Sequence, residues 1–388
     1  MNVITITREY GAGGGELARR LAESLGWELL DRELLHQAAD SEHVPDADLE
    51  RLDEKAISMA DRFCLHPPHQ HYLHGLKTAA DEAAQRGNVI LVGRGARHLL
   101  GERAHAFHLR LVAPKDWRAR RMASLEGWSP EQGLARCTEM DRTRNRFTRY
   151  FFGDKAFRPA EYDLVVNTAA VPLEDVATVV EAAVRGSLPA TVSGSANRRV
   201  LTLSRELGAG EQGFPLALAK RLGMRVCDRD LLEQEAVRLG IPEMELEKID
   251  ERPAGIFQRF RPGSMHQRYF EVLGQLMHEL AGQGDVILVG RGGSRLLRDD
   301  PRAMHVRLVA TMDVRVRRVM EYRWVTEAVA KKWIAESDTQ RRSFYESYFG
   351  ADWCNPLEYH VTVNSGRLGP AAVDLAALAA ERHWSHTQ

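Results

Sequence analysis

The sequence predicts an α/β protein built twice: two tandem domains, each a five-stranded parallel sheet flanked by helices. Three observations lead there. The chain has 388 residues, which is two domains at roughly 100–200 residues each. Short apolar runs alternate with helical spacings, the pattern of a parallel sheet covered on both faces. The first half of the chain also returns in the second at a constant offset of 197 residues, Gly11 to Gly208, without a gap.

The repeat is carried by matching strings. Ile4–Gly13 (ITITREYGAG) becomes Leu201–Gly210 (LTLSRELGAG), and Val89–Gly95 (VILVGRG) becomes Val286–Gly292. Asp31 and Arg32 map to Asp228 and Arg229, and Asp53-Glu54 to Asp250-Glu251. Arg110–Ala113 maps to Arg307–Ala310, Asp141 and Arg144 to Asp338 and Arg341, and Asn167 to Asn364. Between the copies, Gly186–Arg198 is rich in small and polar residues and has no periodicity, so it reads as a linker. The domains are therefore 1–187 and 199–388, joined by 188–198.

Each element of the first copy has its own signal. Val3–Thr7 is a β-branched run ended by a glycine cluster, a buried strand. Leu17, Leu21, Ala22 and Leu25 follow at helical spacing and stop at Gly26. Trp27–Leu30 is a second short strand, and helical segments fill about 32–87. Asn88–Val92 and Phe107–Val112 are further strands, the first almost wholly apolar and so buried on both faces. A long polar helical region covers about 115–150, Tyr162–Asn167 is the fifth strand, and Leu173–Val184 the closing helix.

Composition excludes several classes. With 44% hydrophobic and 28% charged residues the chain has ordinary globular proportions. A net charge of −1 gives no basic field to draw nucleic acid or anionic lipid. No apolar run approaches the roughly 20 residues of a membrane helix, and no secretory signal opens the sequence. Cys64, Cys137, Cys227 and Cys354 are scattered without a CxxC, so a reduced, cytoplasmic setting is expected.

Chemistry first shows at the strand–glycine–helix junction. Gly11, Ala12, Gly13, Gly14 and Gly15 lead into a helix, and Gly208-Ala209-Gly210 repeats the start. Such a turn aims backbone N–H groups and the positive end of the helix dipole at one point, which binds phosphate; alternatively it is a tight packing turn.

The string ITITREYGAGGGELARRLAESLGWELLDREL resembles the opening of the cytidylate kinase-like branch of the P-loop nucleoside monophosphate kinases. VILVGRGA at 89–96, LRLVAPKDWRARRM at 109–122, DRTRNRFTRYFFGDKAF at 141–157 and YDLVVNT at 162–168 follow in the order of that family. Copy two matches through SREL, VILVGRGG, VRLVATMDVRVRRV, DTQRRSFYESYFGADW and YHVTVNS. The resemblance implies a parallel sheet with a mobile lid, and phosphate transfer from ATP-Mg²⁺ to a nucleoside monophosphate, with CMP and dCMP as default acceptors. It gives Arg94, between Gly93 and Gly95, the acceptor phosphate, and puts Asp31, Arg32 and Asp163 on the acceptor side. Arg118, Arg120 and Arg121 resemble the arginine-rich start of the lid, and at helical spacing they cannot all face one phosphate. Asp141 and Arg144 share a helix face and form either a nucleotide clamp or a surface ion pair.

The chain also departs from the family. The P-loop pattern GxxxxGK[ST] has a lysine for the transferred phosphate and a hydroxyl for Mg²⁺. Those positions are Gly14 and Glu16 in copy one, and Glu211 and Gly213 in copy two. The arginine with which this branch replaces the lysine is also missing, at Gly15 and Gln212. Arg8, just before the loop, is the candidate replacement cation. Glu211 would repel phosphate, and His360 stands in place of Asp163. The expectation is thus a kinase working from domain one, beside a degenerate domain two in an intramolecular pseudo-dimer. The competing reading is a nucleotide-sensing pseudokinase. His66, His69, His71 and His74 suggest a metal site only weakly, and the aromatic run Phe147–Phe152 suggests packing of the lid more than base stacking.

Overall fold

The structure, a computed structural model, describes residues 1–31, 68–93, 95–101, 105–187, 198–210, 213–228 and 265–386. It divides into two compact units, Met1–Ser187 and Leu188–Gln388.

In the first unit β1 (Val3–Arg8), α1 (Gly14–Leu25) and β2 (Glu28–Leu30) are followed by α2 (Pro68–Arg86), β3 (Val89–Val92), α3 (Ala96–Leu100) and β4 (Ala106–Val112). Then come α4 (Lys115–Glu126), α5 (Pro130–Phe152), two single 3-10 turns, β5 (Leu164–Asn167) and α6 (Leu173–Arg185). The strands are all parallel in the order β2-β3-β1-β4-β5. Their C-terminal ends therefore share one edge, where ligands of open α/β sheets bind. Alternate residues of a strand share a face. Val3, Val89, Leu91 and Ala106 pack under Leu76 and Ala80 of α2 and Leu99 and Leu100 of α3. Phe147 joins this cluster with Phe151 and Phe152 against it, so the aromatic run does pack the end of α5 onto the domain.

The helical region expected over 115–150 is two helices. Gly127 closes α4 with a left-handed φ of 69°. Ser129 and Gln132 cap α5 reciprocally, with Pro130 at its first position.

The second unit repeats the plan. It holds β6 (Val200–Arg205), α7 (Gly213–Leu222), β7 (Arg225–Cys227), α8 (Met265–Gln283), β8 (Val286–Val289), α9 (Gly293–Leu296) and β9 (Ala303–Val309). These are followed by α10 (Met312–Arg323), α11 (Glu327–Phe349), β10 (Val361–Asn364), α12 (Ser365–Leu368) and α13 (Ala371–Ser385). Its strands run parallel in the order β7-β8-β6-β9-β10.

One buried polar seam moves a residue expected at the acceptor side. Asp163 is 2% exposed at the N-terminal end of β5, the edge opposite the glycine loop. Its carboxylate accepts the His108 backbone N–H at 2.6 Å, while His108 Nδ1 meets Thr5 Oγ1 at 2.7 Å. The requirement to satisfy a buried N–H explains the position; Asp163 is framework, not a substrate contact. In the second unit His360 Nδ1 accepts the same bond from His305 N–H at 3.0 Å. Burial, reinforced by neighbouring histidines, holds His360 down to about 2 and His305 down to about 3, so both rings stay neutral. The exchange of Asp163 for His360 is a structural substitution and no longer speaks for lost activity.

Candidate active site

β1 ends at Arg8 and the chain turns through Glu9 and Tyr10 into the glycines. Gly11 has φ +81° and Gly13 φ +85°, a conformation open to glycine without strain. A Cβ on Gly13 would lie 2.7 Å from Leu173 Cδ1. No side chain caps α1, so the N–H groups of its first turn are left to an anion or water.

The departure at Gly14 has a structural counterpart. A Cβ there would stand 2.7 Å from Arg8 Cγ and 3.0 Å from Arg8 Cβ. The aliphatic stem of Arg8 thus runs along the first residue of α1. Its guanidinium lies against Gly93, where an added Cβ would run into it. Gly93, with φ +88°, begins the turn to α3; Arg94 in that turn lies outside the described residues, as does Arg32. Gly95 ends the turn with the Phe152 ring against it. Arg8 therefore reaches from the glycine loop to the loop of the expected acceptor arginine.

Behind the loop is a charged clamp. Arg118 is 3% exposed. Its Nε donates to Ala113 C=O at 2.8 Å, and its Nη1 to Tyr10 C=O at 2.8 Å and to the Asp141 carboxylate at 2.7 Å. Asp141 in turn accepts the Tyr10 N–H at 2.9 Å. Glu9 lies 3.3 Å from Arg118 and accepts the Ala113 N–H at 3.1 Å. Burial pushes the Glu9 carboxyl up, with Arg118 pulling it back. Of the three lid arginines Arg118 turns inward, and Asp141, open between a nucleotide clamp and an ion pair, forms an ion pair with it; together they hold the loop from behind, because a guanidinium this buried needs acceptors on several sides. Arg144 lies over the Tyr10 ring at 5.3 Å. Arg121 stays at the loop: its Nη2 meets Glu16 at 2.6 Å and its Nη1 the Gly11 C=O at 3.4 Å. Arg120 is exposed, and Asp31 is exposed just past β2.

Two contributors escaped the sequence reading. Glu9 was a plain letter of the string TREYG. Thr168, whose Oγ1 donates to Ala12 C=O at 3.0 Å, pins the loop from β5. The repeat carried a signal for both, since Glu206 and Ser365 stand at their positions.

In the second unit Arg315 grips Asp338 through two bonds of 2.9 and 2.7 Å, and its Nε donates to Leu207 C=O at 2.7 Å. Glu206 is 3.5 Å away. Ser365 Oγ donates to Ala209 C=O. The clamp is thus present twice. The arginine before the loop differs: Arg205 Nη1 donates to Gly210 C=O at 3.2 Å, and nothing lies within 4 Å of a Cβ built on Gly290. Glu211 and Gln212 lie outside the described residues.

His66 lies outside the described residues, and the side chains of His69 and His71 are likewise not described; His74 is exposed. Among the described residues no three acidic, histidine or cysteine side chains gather as a metal site, and no helix is long and apolar enough to cross a membrane.

A model of the cytidylate kinase-like family matches residues 3–170 and again 200–367. The cytidylate kinase of Natronomonas pharaonis is 30% identical over 193 residues, covering 48% of this chain and 91% of its own length. That of Pyrococcus horikoshii is 25% identical over 193 residues, covering 50% and 93%. Among solved structures, an uncharacterized protein from Eubacterium ventriosum covers 48% of this chain and 98% of its own at 23% identity and a TM-score of 0.38. Shikimate kinase from Bacteroides thetaiotaomicron covers 46% and 96% at 16% identity and a TM-score of 0.28. With the family match falling on both halves and the same clamp built in each, the chain belongs to the cytidylate kinase-like family as two tandem copies.

Proposed function

We propose that the first unit transfers phosphate from ATP to a nucleoside monophosphate, with CMP or dCMP as acceptor, and that Arg8 does the work of the missing P-loop lysine. The observation that carries this reading is the path of Arg8, stem on Gly14 and guanidinium at Gly93. That path puts a fixed positive charge between a phosphate-binding turn and the acceptor loop, where phosphoryl transfer develops its charge.

The residues fit the expected cofactors. The backbone of Gly11–Gly15 would hold the ATP phosphates, and Arg121 would face them from the loop's rim. Glu16 would offer Mg²⁺ a carboxylate oxygen, a suitable hard donor, in place of the usual hydroxyl. Bound Mg²⁺ would neutralise phosphate charge. Arg118, Glu9 and Asp141 act as positioning residues that fix Tyr10 and so the loop. Arg94 keeps the acceptor phosphate role that the family resemblance gives it.

A second reading, a nucleotide-binding pseudokinase, is favoured by the absence of the lysine from both loops and by the Glu16–Arg121 pair at the position of the metal ligand. ADP release from ATP-Mg²⁺ with CMP, dCMP, UMP, AMP and GMP separates the two. Turnover with a cytidine nucleotide, abolished in Arg8→Ala and Arg94→Ala, supports the kinase. Silence across the panel, with ATP still raising the melting temperature, supports the pseudokinase.

A further inference from the structure

On the strand next to β1, the two units treat one arginine in opposite ways. Arg110 lies on β4 in register with Thr7 of β1. It shares strand parity with Ala106, and so lies on the face that carries α2 and α3. It stands near the C-terminal end of its strand and is partly exposed. Nη1 donates to Phe157 C=O at 2.5 Å, and the guanidinium carbon lies 5.7 Å from the Phe157 ring and 5.6 Å from the Tyr162 ring. Among the described residues no carboxylate lies within 4 Å of it: Glu9 is engaged with Arg118 and the Ala113 N–H, and Arg110 acts on that carboxyl only from farther off, lowering it. The other well-placed arginines of this unit, Arg97, Arg118 and Arg121, each meet an acid.

The counterpart Arg307 is neutralised and sealed. Glu206 pairs with it at 3.1 Å. The Trp353 ring lies against the guanidinium, 4.1 Å from ring centroid to Cζ, and its C=O accepts from Nη1. Trp353 Nε1 donates to Ser204 Oγ at 2.8 Å, so the indole extends to β6. Arg307 is 1% and Trp353 2% exposed. The position of Trp353 in the first unit is Ala156, and the backbone there is the same: Tyr162 Oη donates to Ala156 C=O at 2.9 Å as Tyr359 Oη donates to Trp353 C=O at 3.0 Å. Beside the arginine, Ala156 and Phe157 of the first unit thus stand where the second has Trp353 and Cys354, and the arginine is partly exposed in the first and sealed in the second.

We propose that Arg110 binds the phosphate of the acceptor in the first unit, and that Trp353 fills the equivalent space in the second, so that only one acceptor binds per chain. This rests on the proposed kinase reading. A partly exposed guanidinium with no carboxylate within 4 Å, near the end of a central parallel strand, has the charge and the access for a phosphate group. Where the second unit has no such ligand, it supplies the counter-charge from Glu206 and the volume from Trp353.

Calorimetric titration of CMP into the full-length protein, with steady-state kinetics alongside, tests the proposal. The wild type is expected to bind one CMP. Arg110→Met raises the CMP Kd and KM at least tenfold and leaves ATP affinity unchanged, and Arg110→Lys recovers part of the loss. Trp353→Ala raises the stoichiometry toward two; if that variant melts early, Trp353→Phe, which vacates part of the space, is read by the binding of inorganic phosphate. CMP turnover with an unaltered KM in Arg110→Met overturns the Arg110 assignment and leaves the kinase standing. Stoichiometry held at one in both Trp353 variants overturns the filled-site assignment. If no nucleoside monophosphate binds, the kinase reading falls, and inorganic phosphate decides Arg110 by itself: a thermal shift lost in Arg110→Met upholds it, and an equal shift in both proteins removes it.

Discussion

Arg8 and Arg205 occupy one position in two copies of a loop, yet one reaches across to the next strand's turn and the other folds back onto Gly210. The clamp behind them is retained in both units: Glu9, Arg118 and Asp141 in the first, Glu206, Arg315 and Asp338 in the second. The two units keep the contacts that hold the loop from behind and differ in the course of the arginine that precedes it. The open and filled arginines, Arg110 and Arg307, repeat the contrast one strand away.

The largest effect is expected where the units agree. Arg118→Ala strands Asp141 and Glu9 and should cost about 3–5 kcal/mol, the usual loss when one partner of a buried ion pair is removed; Arg315→Ala should cost the second unit a similar amount. Chemical denaturation followed by circular dichroism measures both, and a cost below 1 kcal/mol in either would show that the clamp is ornamental there. Next comes the point of difference. Arg8→Ala should lower kcat by about 10²–10³, the size of effect seen on removing one preorganised donor, whereas Arg205→Ala should stay within twofold. Equal losses in the two variants would erase the asymmetry.

The acid response distinguishes the units further. His305 and His360 have folded pKa values depressed to about 3 and about 2 from 6.5. The unfolded chain therefore takes up their protons first. Their contribution is whole above the ordinary histidine value and is lost as pH falls from about 6.5 toward the folded values. With both titrating, the second unit should lose about 2.7 kcal/mol per pH unit below about pH 5.5. His360→Asn, which keeps an acceptor for the His305 N–H, should halve that slope. An unchanged slope in denaturation midpoints from pH 6 to 4 would rule out His360 as the source.

The smallest effect concerns a turn. Trp324 closes α10 at φ 55° where Gly127 closes α4, and it is 92% exposed. A left-handed non-glycine residue costs about 1–2 kcal/mol, so Trp324→Gly should stabilise the second unit by about 1 kcal/mol. A calorimetric melting temperature that falls instead would mean the indole makes contacts that matter.

Much of this was legible from the letters. Short apolar runs announced the strands because a doubly covered sheet tolerates little else, and the repeat register located every corresponding residue. The string Gly127-Trp128-Ser129-Pro130-Glu131-Gln132 contained a helix stop and a helix start, and its capping chemistry divides the polar region into α4 and α5. What stayed hidden was direction. Spacing put Arg118 and Asp141 on suitable helix faces, but whether a guanidinium turns toward a ligand or inward depends on contacts more than a hundred residues apart in sequence. Asp163 misled for the same reason: its partner is a backbone N–H, which no sequence pattern displays. Ala156 and Trp353 differ plainly in the aligned copies, yet their meaning needed the arginine beside each one.

The clamp has a mechanical side. Helix α5 is a rod of 23 residues, roughly 35 Å at 1.5 Å per residue, and Asp141 pins it near its midpoint to Tyr10 and Arg118. Its far end presses Phe152 against Gly95, while its near end carries the hairpin to α4. The glycine loop and the glycine that opens α3 are thus fastened to the same rod, eleven residues apart, at Asp141 and at Phe152.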